Sequence, residues 1–198
     1  MFDVVRLSDQ NCDKALDIIS ELGIIETWKK HNSKANLVGS VRTRLLLEYL
    51  DIDFHVYSDE FSIERSFAAV GEIACNEGIV DVEYKNLLDQ EDKCLEWHLG
   101  YIDKEKQRWG IDIIHIRNDS KYVGKFERVA EKINKILTPE MRRTILEIKH
   151  GAYERKEREM GIEIYKAVLE GKIKGYKEYM EWKKWNRSNG IIDWEPTI

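Results

Sequence analysis

The stretch NLVGSVRTRLLLEYLDIDFHVY, residues 36–57, decides the fold. Asn36-Leu37-Val38 is a short apolar run that stops at Gly39-Ser40, and residues 41 to 48 then read as a short helix or helical turn. From Asp51 to Tyr57 the residues alternate. Ile52, Phe54 and Val56 fall on the core side of a strand, while Asp51, Asp53, His55 and Tyr57 share its other face. The order is strand, tight turn, helical segment, strand.

Two carboxylates side by side on one partly desolvated strand face repel, and each raises the pKa of the other unless a cation holds both ionised. Magnesium takes carboxylate oxygens, retained waters and substrate phosphates, so an Asp pair with no Cys or His requirement points to magnesium, with manganese as its substitute, rather than to zinc. Gly39-Ser40 is a place where backbone N–H groups and a hydroxyl can face a phosphate, and Arg42 and Arg44 follow within the next turn.

Working outward, residues 8 to 30 place Ala15, Ile18, Ile19, Leu22 and Ile25 at helical spacing behind Ser8-Asp9 as the expected cap. Residues 60 to 77 repeat that spacing until Gly78 stops the run, and Ile79 to Tyr84 reads as a strand. Residues 94 to 101 and 108 to 116 form two β-prone runs around the polar stretch Asp103 to Gln107, the pattern of a hairpin. After Asn118-Asp119-Ser120 the chain turns helical through Leu137. Thr138-Pro139-Glu140 opens another helix, with threonine as cap and proline at its first position. Residues 153 to 169 and 172 to 185 add further amphipathic helices, and Tyr176, Tyr179, Trp182 and Trp185 are expected as the buried stripe of the last one. The expectation is an α/β (α+β) fold, a mixed sheet flanked by helices with a helical C-terminal part. The shift at about residue 120 divides it into 1–120 and 121–198.

Asp112 is the single charge in the run Ile111-Asp112-Ile113-Ile114, and a buried carboxylate needs a partner. If its strand lies beside that of Asp51, three carboxylates converge; a structural ion pair with Arg42, Arg44 or a histidine is the alternative. His55 reads as a partly exposed polar residue, His115 as pointing away from the Asp112 face, and His98 is unassigned. Trp97, Tyr101 and Trp109 fit either a substrate-stacking wall or cross-strand packing.

A formal charge of −5 gives no general attraction to nucleic acid or to an anionic membrane. Three scattered cysteines suit a reducing cytoplasm, and no stretch approaches the ~20 apolar residues of a membrane helix.

The set Gly39-Ser40, Asp51-Ile52-Asp53 and Asp112 resembles, in order, the nucleotidyltransferase superfamily that includes DNA polymerase beta and the small antibiotic nucleotidyltransferases. The resemblance covers about residues 36 to 116. It departs from the common pattern in having Val41-Arg42-Thr43-Arg44 and no second glycine before Leu45. It implies that Asp51 and Asp53 bind the metal carrying the nucleotide phosphates and that Asp112 helps a second metal activate the acceptor hydroxyl. Gly39 and Ser40, with Arg42 and Arg44 close behind, would contact the phosphates. The expected function is transfer of a nucleoside monophosphate from a nucleoside triphosphate to a hydroxyl on a small molecule. An inactive nucleotide-binding module or a metal-dependent phosphohydrolase are the alternatives.

Overall fold

The computed structural model describes residues 2–186 and 194–197. Helix α1 (Val4–Glu21) is capped by Asp3, whose side chain accepts from the N–H groups of Val5 and Arg6. Ser8 is not the cap: it is buried inside the helix, where its hydroxyl donates to the Arg44 carbonyl at 3.1 Å. Gly23, at φ 59°, breaks the single helix expected over residues 8 to 30 and starts α2 (Ile24–Lys30).

Strand β1 (Ser33–Val38) runs into α3 (Gly39–Arg42), which is only four residues long. The helical segment expected over 41 to 48 stops there for a packing reason. Leu46 enters one hydrophobic core, while Leu45 and Leu47 enter another. Side chains that alternate between two sides require extended chain. Next come β2 (Asp51–Ser58), α4 (Ile63–Ala74), β3 (Ile79–Leu87), and the hairpin β4 (Cys94–Ile102) and β5 (Arg108–Ile116). Four helices follow: α5 (Lys125–Ile136), α6 (Pro139–Glu154), α7 (Gly161–Leu169) and α8 (Tyr176–Trp185). Thr138 caps α6 with Pro139 in its first turn, as the sequence pattern predicts.

The five strands form one mixed sheet in the order β1-β2-β5-β4-β3. Only β2 and β5 run parallel; the other neighbours are antiparallel. One face buries Ile52, Phe54, Val56, Trp97, Leu99, Trp109, Ile111 and Ile113 beneath α1, α2 and α4. A second core gathers α5 to α8 around Ile145, Ile148, Ile164 and Tyr179, and it draws in Val4, Leu45 and Leu47. The last helix departs from the expected stripe: Tyr179 is fully buried, but Trp185 is 87% exposed. Among the described residues no helix is long and apolar enough to cross a membrane. Cys12, Cys75 and Cys94 are all free thiols.

Candidate active site

The strand register assembles the acidic cluster. The parallel pairing of β2 with β5 sets Asp53 opposite Asp112 and Asp51 opposite Gly110. Both flanking glycines are there for space. A Cβ on Gly110 would stand 2.6 Å from Asp51 Oδ1, and one on Gly39 would stand 2.0 Å from Asp53 Oδ2. Gly39 also sits at φ 65°, in the left-handed region where a side chain is strained. Strand β1 therefore turns sharply, and the Ser40 N–H faces the Asp53 carboxylate and favours its charged form.

Asp51 and Asp53 open onto a cleft of about 540 Å³ between the sheet and the helical part, lined on this side by Gly39, Ser40 and Thr43 as well, while Asp112 stands beside Asp53 without lining the cleft. Its far side is largely apolar, with Phe126, Val129, Ile133 and Ile162 beside Tyr165 and Lys149. An apolar wall facing a few polar groups is the usual make-up of a small-molecule site.

Burial pushes the Asp53 carboxyl up to about 7, and the charges of Asp112 and Asp51 add to that shift. Lys149 and the Ser40 N–H oppose it. Asp51 is raised as well, first by burial and then by Asp112, with Arg158 and Lys149 acting the other way. Lys149, on α6, and Arg158 both reach the cleft from the helical part, and Lys149 acts on both Asp51 and Asp53. Burial lowers it to about 8 against the charges of Glu48, Asp53 and Asp51, and its ammonium donates to the Leu45 carbonyl at 2.5 Å. Two crowded carboxylates with raised pKa values and a cleft in front of them have the chemistry that a hard divalent cation satisfies, so the donor set fits magnesium or manganese.

Asp112 is engaged from its other side. His98 Nδ1 lies 2.8 Å from Asp112 Oδ1, and His98 Nε2 lies 3.4 Å from Glu96 Oε2. Partial burial works against charge on His98, yet the hydrogen bond and charge of Asp112 hold its pKa above the ordinary histidine value. Among the described residues, the group of potential ligand atoms drawn within 4.8 Å of one another is Asp92, Cys94 and Glu96. The three aspartates are not gathered that tightly, as expected of like charges with one member held by a histidine.

The other expected residues have other surroundings. Arg44 pairs with Asp13 at 2.6 Å and with Asp9 at 3.1 Å, and Arg42 reaches Glu131 at 3.4 Å; neither lines the cleft. Trp97 and Trp109 point into the opposite face of the sheet, where their indole N–H groups donate to Ser66 and Asp103. They form core rather than a substrate wall. His55 is buried under Phe126, and that burial lowers its pKa to about 4. His115 is buried on the core face, bonded through Nε2 to Ser58 Oγ at 2.7 Å.

No family model and no curated protein matches the sequence. A structure of the Cid1 poly(U) polymerase bound to MgATP aligns with a TM-score of 0.62 at 15% identity, covering 81% of this chain and 50% of that one. The fold is the nucleotidyltransferase fold. A cytoplasmic RNA terminal U-transferase aligns with a TM-score of 0.56 at 14% identity, over 84% of this chain and 50% of that one. The polymerase core of TRAMP, an RNA surveillance complex, gives 0.53 at 18%, over 77% and 48%. The chain thus spans about half the length of the solved nucleotidyltransferase folds it matches.

These neighbours correct the expected partners. A small-molecule acceptor, with nucleic acid set aside on a net charge of −5, does not agree with neighbours that are RNA transferases and polymerases. Net charge averages over the whole surface, whereas a polynucleotide end is held by the few groups lining one track.

Proposed function

We propose that the chain transfers a nucleoside monophosphate from a nucleoside triphosphate to a hydroxyl at the end of an RNA strand. The observation that carries this reading is the Asp53 carboxylate, cradled by Gly39, in register with Asp112 and opening onto the cleft. The RNA acceptor is supported by the RNA-directed proteins that share the fold.

In this reading Asp51 and Asp53 would hold the nucleotide-bearing metal and Asp112 the acceptor-side metal. Magnesium or manganese bound there would neutralise triphosphate charge and lower the pKa of the acceptor hydroxyl. Ser40 and Lys149 supply a hydroxyl and an ammonium at the cleft wall for phosphate oxygens, and the apolar side, with Phe126, Ile162 and Tyr165, takes the base and keeps water away. The free thiols are in keeping with a reducing cytoplasm.

Labelled RNA oligonucleotides incubated with each nucleoside triphosphate and magnesium should be extended by the wild type and not by Asp53→Ala. Absence of extension together with absence of metal–nucleotide binding by folded protein would end this reading. The missing second glycine after Gly39-Ser40 favours one alternative, a nucleotide-binding module without turnover; tight nucleotide binding with no extended product would select it.

A further inference from the structure

His98 was without a role in the sequence, and the sheet register gives it one. Strand β5 lies between β2 and β4, so Asp112 has Asp53 on one side and His98 on the other. In the row behind them Gly110 stands opposite Gly100, and the space over these glycines is taken by Asp51 and by the Arg108–Asp81 ion pair, while Ile114 fills the row in front, opposite Glu96. The Asp112 side chain is 39% exposed and His98 is the group on β4 that meets it. A carboxylate only accepts hydrogen bonds, so the 2.8 Å contact is an N–H donated by Nδ1 to Oδ1. The ring is held in turn by Glu96, 3.4 Å from Nε2, and Glu96 itself pairs with Lys85 at 3.6 Å.

Asp112 needs such a tether. Its neighbours on β2 are carboxylates, and repulsion among the three would swing the Asp112 side chain out of the cluster. A donor on the far side captures one oxygen and leaves the other for the β2 side. We propose that His98 is the positioning residue of the acceptor-side carboxylate: its Nδ1–H fixes Asp112 so that Oδ2 is presented to the second metal, and Glu96 fixes the ring. This rests on the nucleotidyl-transfer reading of the same site. Partners of this kind behind metal-binding side chains are worth about 10- to 100-fold in metal affinity or activity.

The test uses the full chain and three variants. His98→Leu removes both donors, His98→Asn returns an amide N–H near the place of Nδ1, and His98→Gln reaches instead toward the place of Nε2. Three measurements are made: extension kinetics giving kcat and nucleotide KM, Mn²⁺ binding by electron paramagnetic resonance with a non-hydrolysable nucleoside triphosphate present, and thermal unfolding. His98→Leu should lower kcat about 10- to 100-fold and weaken the second Mn²⁺ about tenfold or more, with nucleotide KM unchanged because Asp51, Asp53 and Lys149 are intact. His98→Asn should recover most of both losses and His98→Gln should not.

Wild-type kcat and Mn²⁺ binding in His98→Leu would overturn the proposal. So would equal impairment of all three variants in step with their unfolding temperatures, because that is the mark of a structural role. If the wild type binds Mn²⁺ and nucleotide but extends no RNA, the transfer reading fails while the Mn²⁺ measurement still decides the role of His98. If the wild type binds neither, both fall.

Discussion

Gly39→Ala puts the geometry of the site to a direct test. The added methyl would stand 2.0 Å from Asp53 Oδ2 and 2.7 Å from its Cγ, where ordinary contact begins near 3.4 Å, so the carboxylate must retreat by about 1.4 Å. A misplacement of about 1 Å in a reacting constellation costs on the order of 100-fold in rate, or about 3 kcal/mol of transition-state stabilisation. The cost to folding is of a different size. Holding alanine at φ 65° adds about 1 kcal/mol of backbone strain, enough to lower the unfolding temperature by only about 2–4 °C in a chain of this length. The prediction is a folded protein whose RNA extension is slower by about 100-fold. Initial rates at saturating nucleotide and thermal unfolding measure the two effects separately. Gly71→Ala is the control: nothing lies within 4 Å of a Cβ there, and in the interior of α4 alanine should stabilise by about 0.5–1 kcal/mol without touching activity. A folded Gly39→Ala protein with wild-type rates would refute the reasoning, since the close approach would then have no bearing on the reacting geometry.

Three further outcomes are expected. Asp53 ionises near 7 in the folded protein and near 3.8 when unfolded, so below 3.8 both states are protonated and stability is lost as pH rises through 7. In denaturant titrations of metal-free protein at pH 8, Asp53→Asn should therefore be the more stable, by about 2 kcal/mol after screening through the open cleft, while it extends no RNA. Lys149→Met should raise nucleotide KM by about 10- to 100-fold, the worth of a charge-assisted hydrogen bond, as read from saturation curves. His115, lowered to about 4 by burial, stays neutral in the folded protein while its unfolded counterpart takes a proton below 6.5. Stability should thus fall by about 3 kcal/mol as pH drops from 6.5 to 4, and His115→Gln should flatten that limb in urea unfolding followed by circular dichroism.

The half of the site carried by adjacent residues was legible. Alternation along Asp51–Tyr57 fixes which side chains share a face, and the apolar run around Asp112 places it on a strand; the neighbouring of those strands was a condition that the parallel register supplies. What comes from far along the chain was not legible. Lys149 lies in an amphipathic helix whose charges look like a solvated face, and only the docking of α6 against the loop at Leu45 buries it beside the aspartates. Arg42 and Arg44 show the converse. Their spacing after Gly39-Ser40 suggests phosphate, but α1 and α5 arrive with Asp9, Asp13 and Glu131 and take the guanidinium groups. The acceptor was misjudged because a whole-chain charge says nothing about which charges line a track.

The one parallel junction in the sheet also bears on how activity is acquired. Asp53 and Asp112 become neighbours only when β5 inserts between β2 and β4, joining residues about 60 positions apart in the chain. Local hairpins and helices close quickly, whereas a parallel pairing must first pay the loop-closure entropy of the intervening segment. The β4–β5 hairpin, with its His98–Asp112 contact, can form early, yet it holds only one of the three carboxylates. On refolding, the ability to bind metal and nucleotide should therefore return with the slowest kinetic phase, and no partly folded fragment lacking the β2–β5 junction should show it.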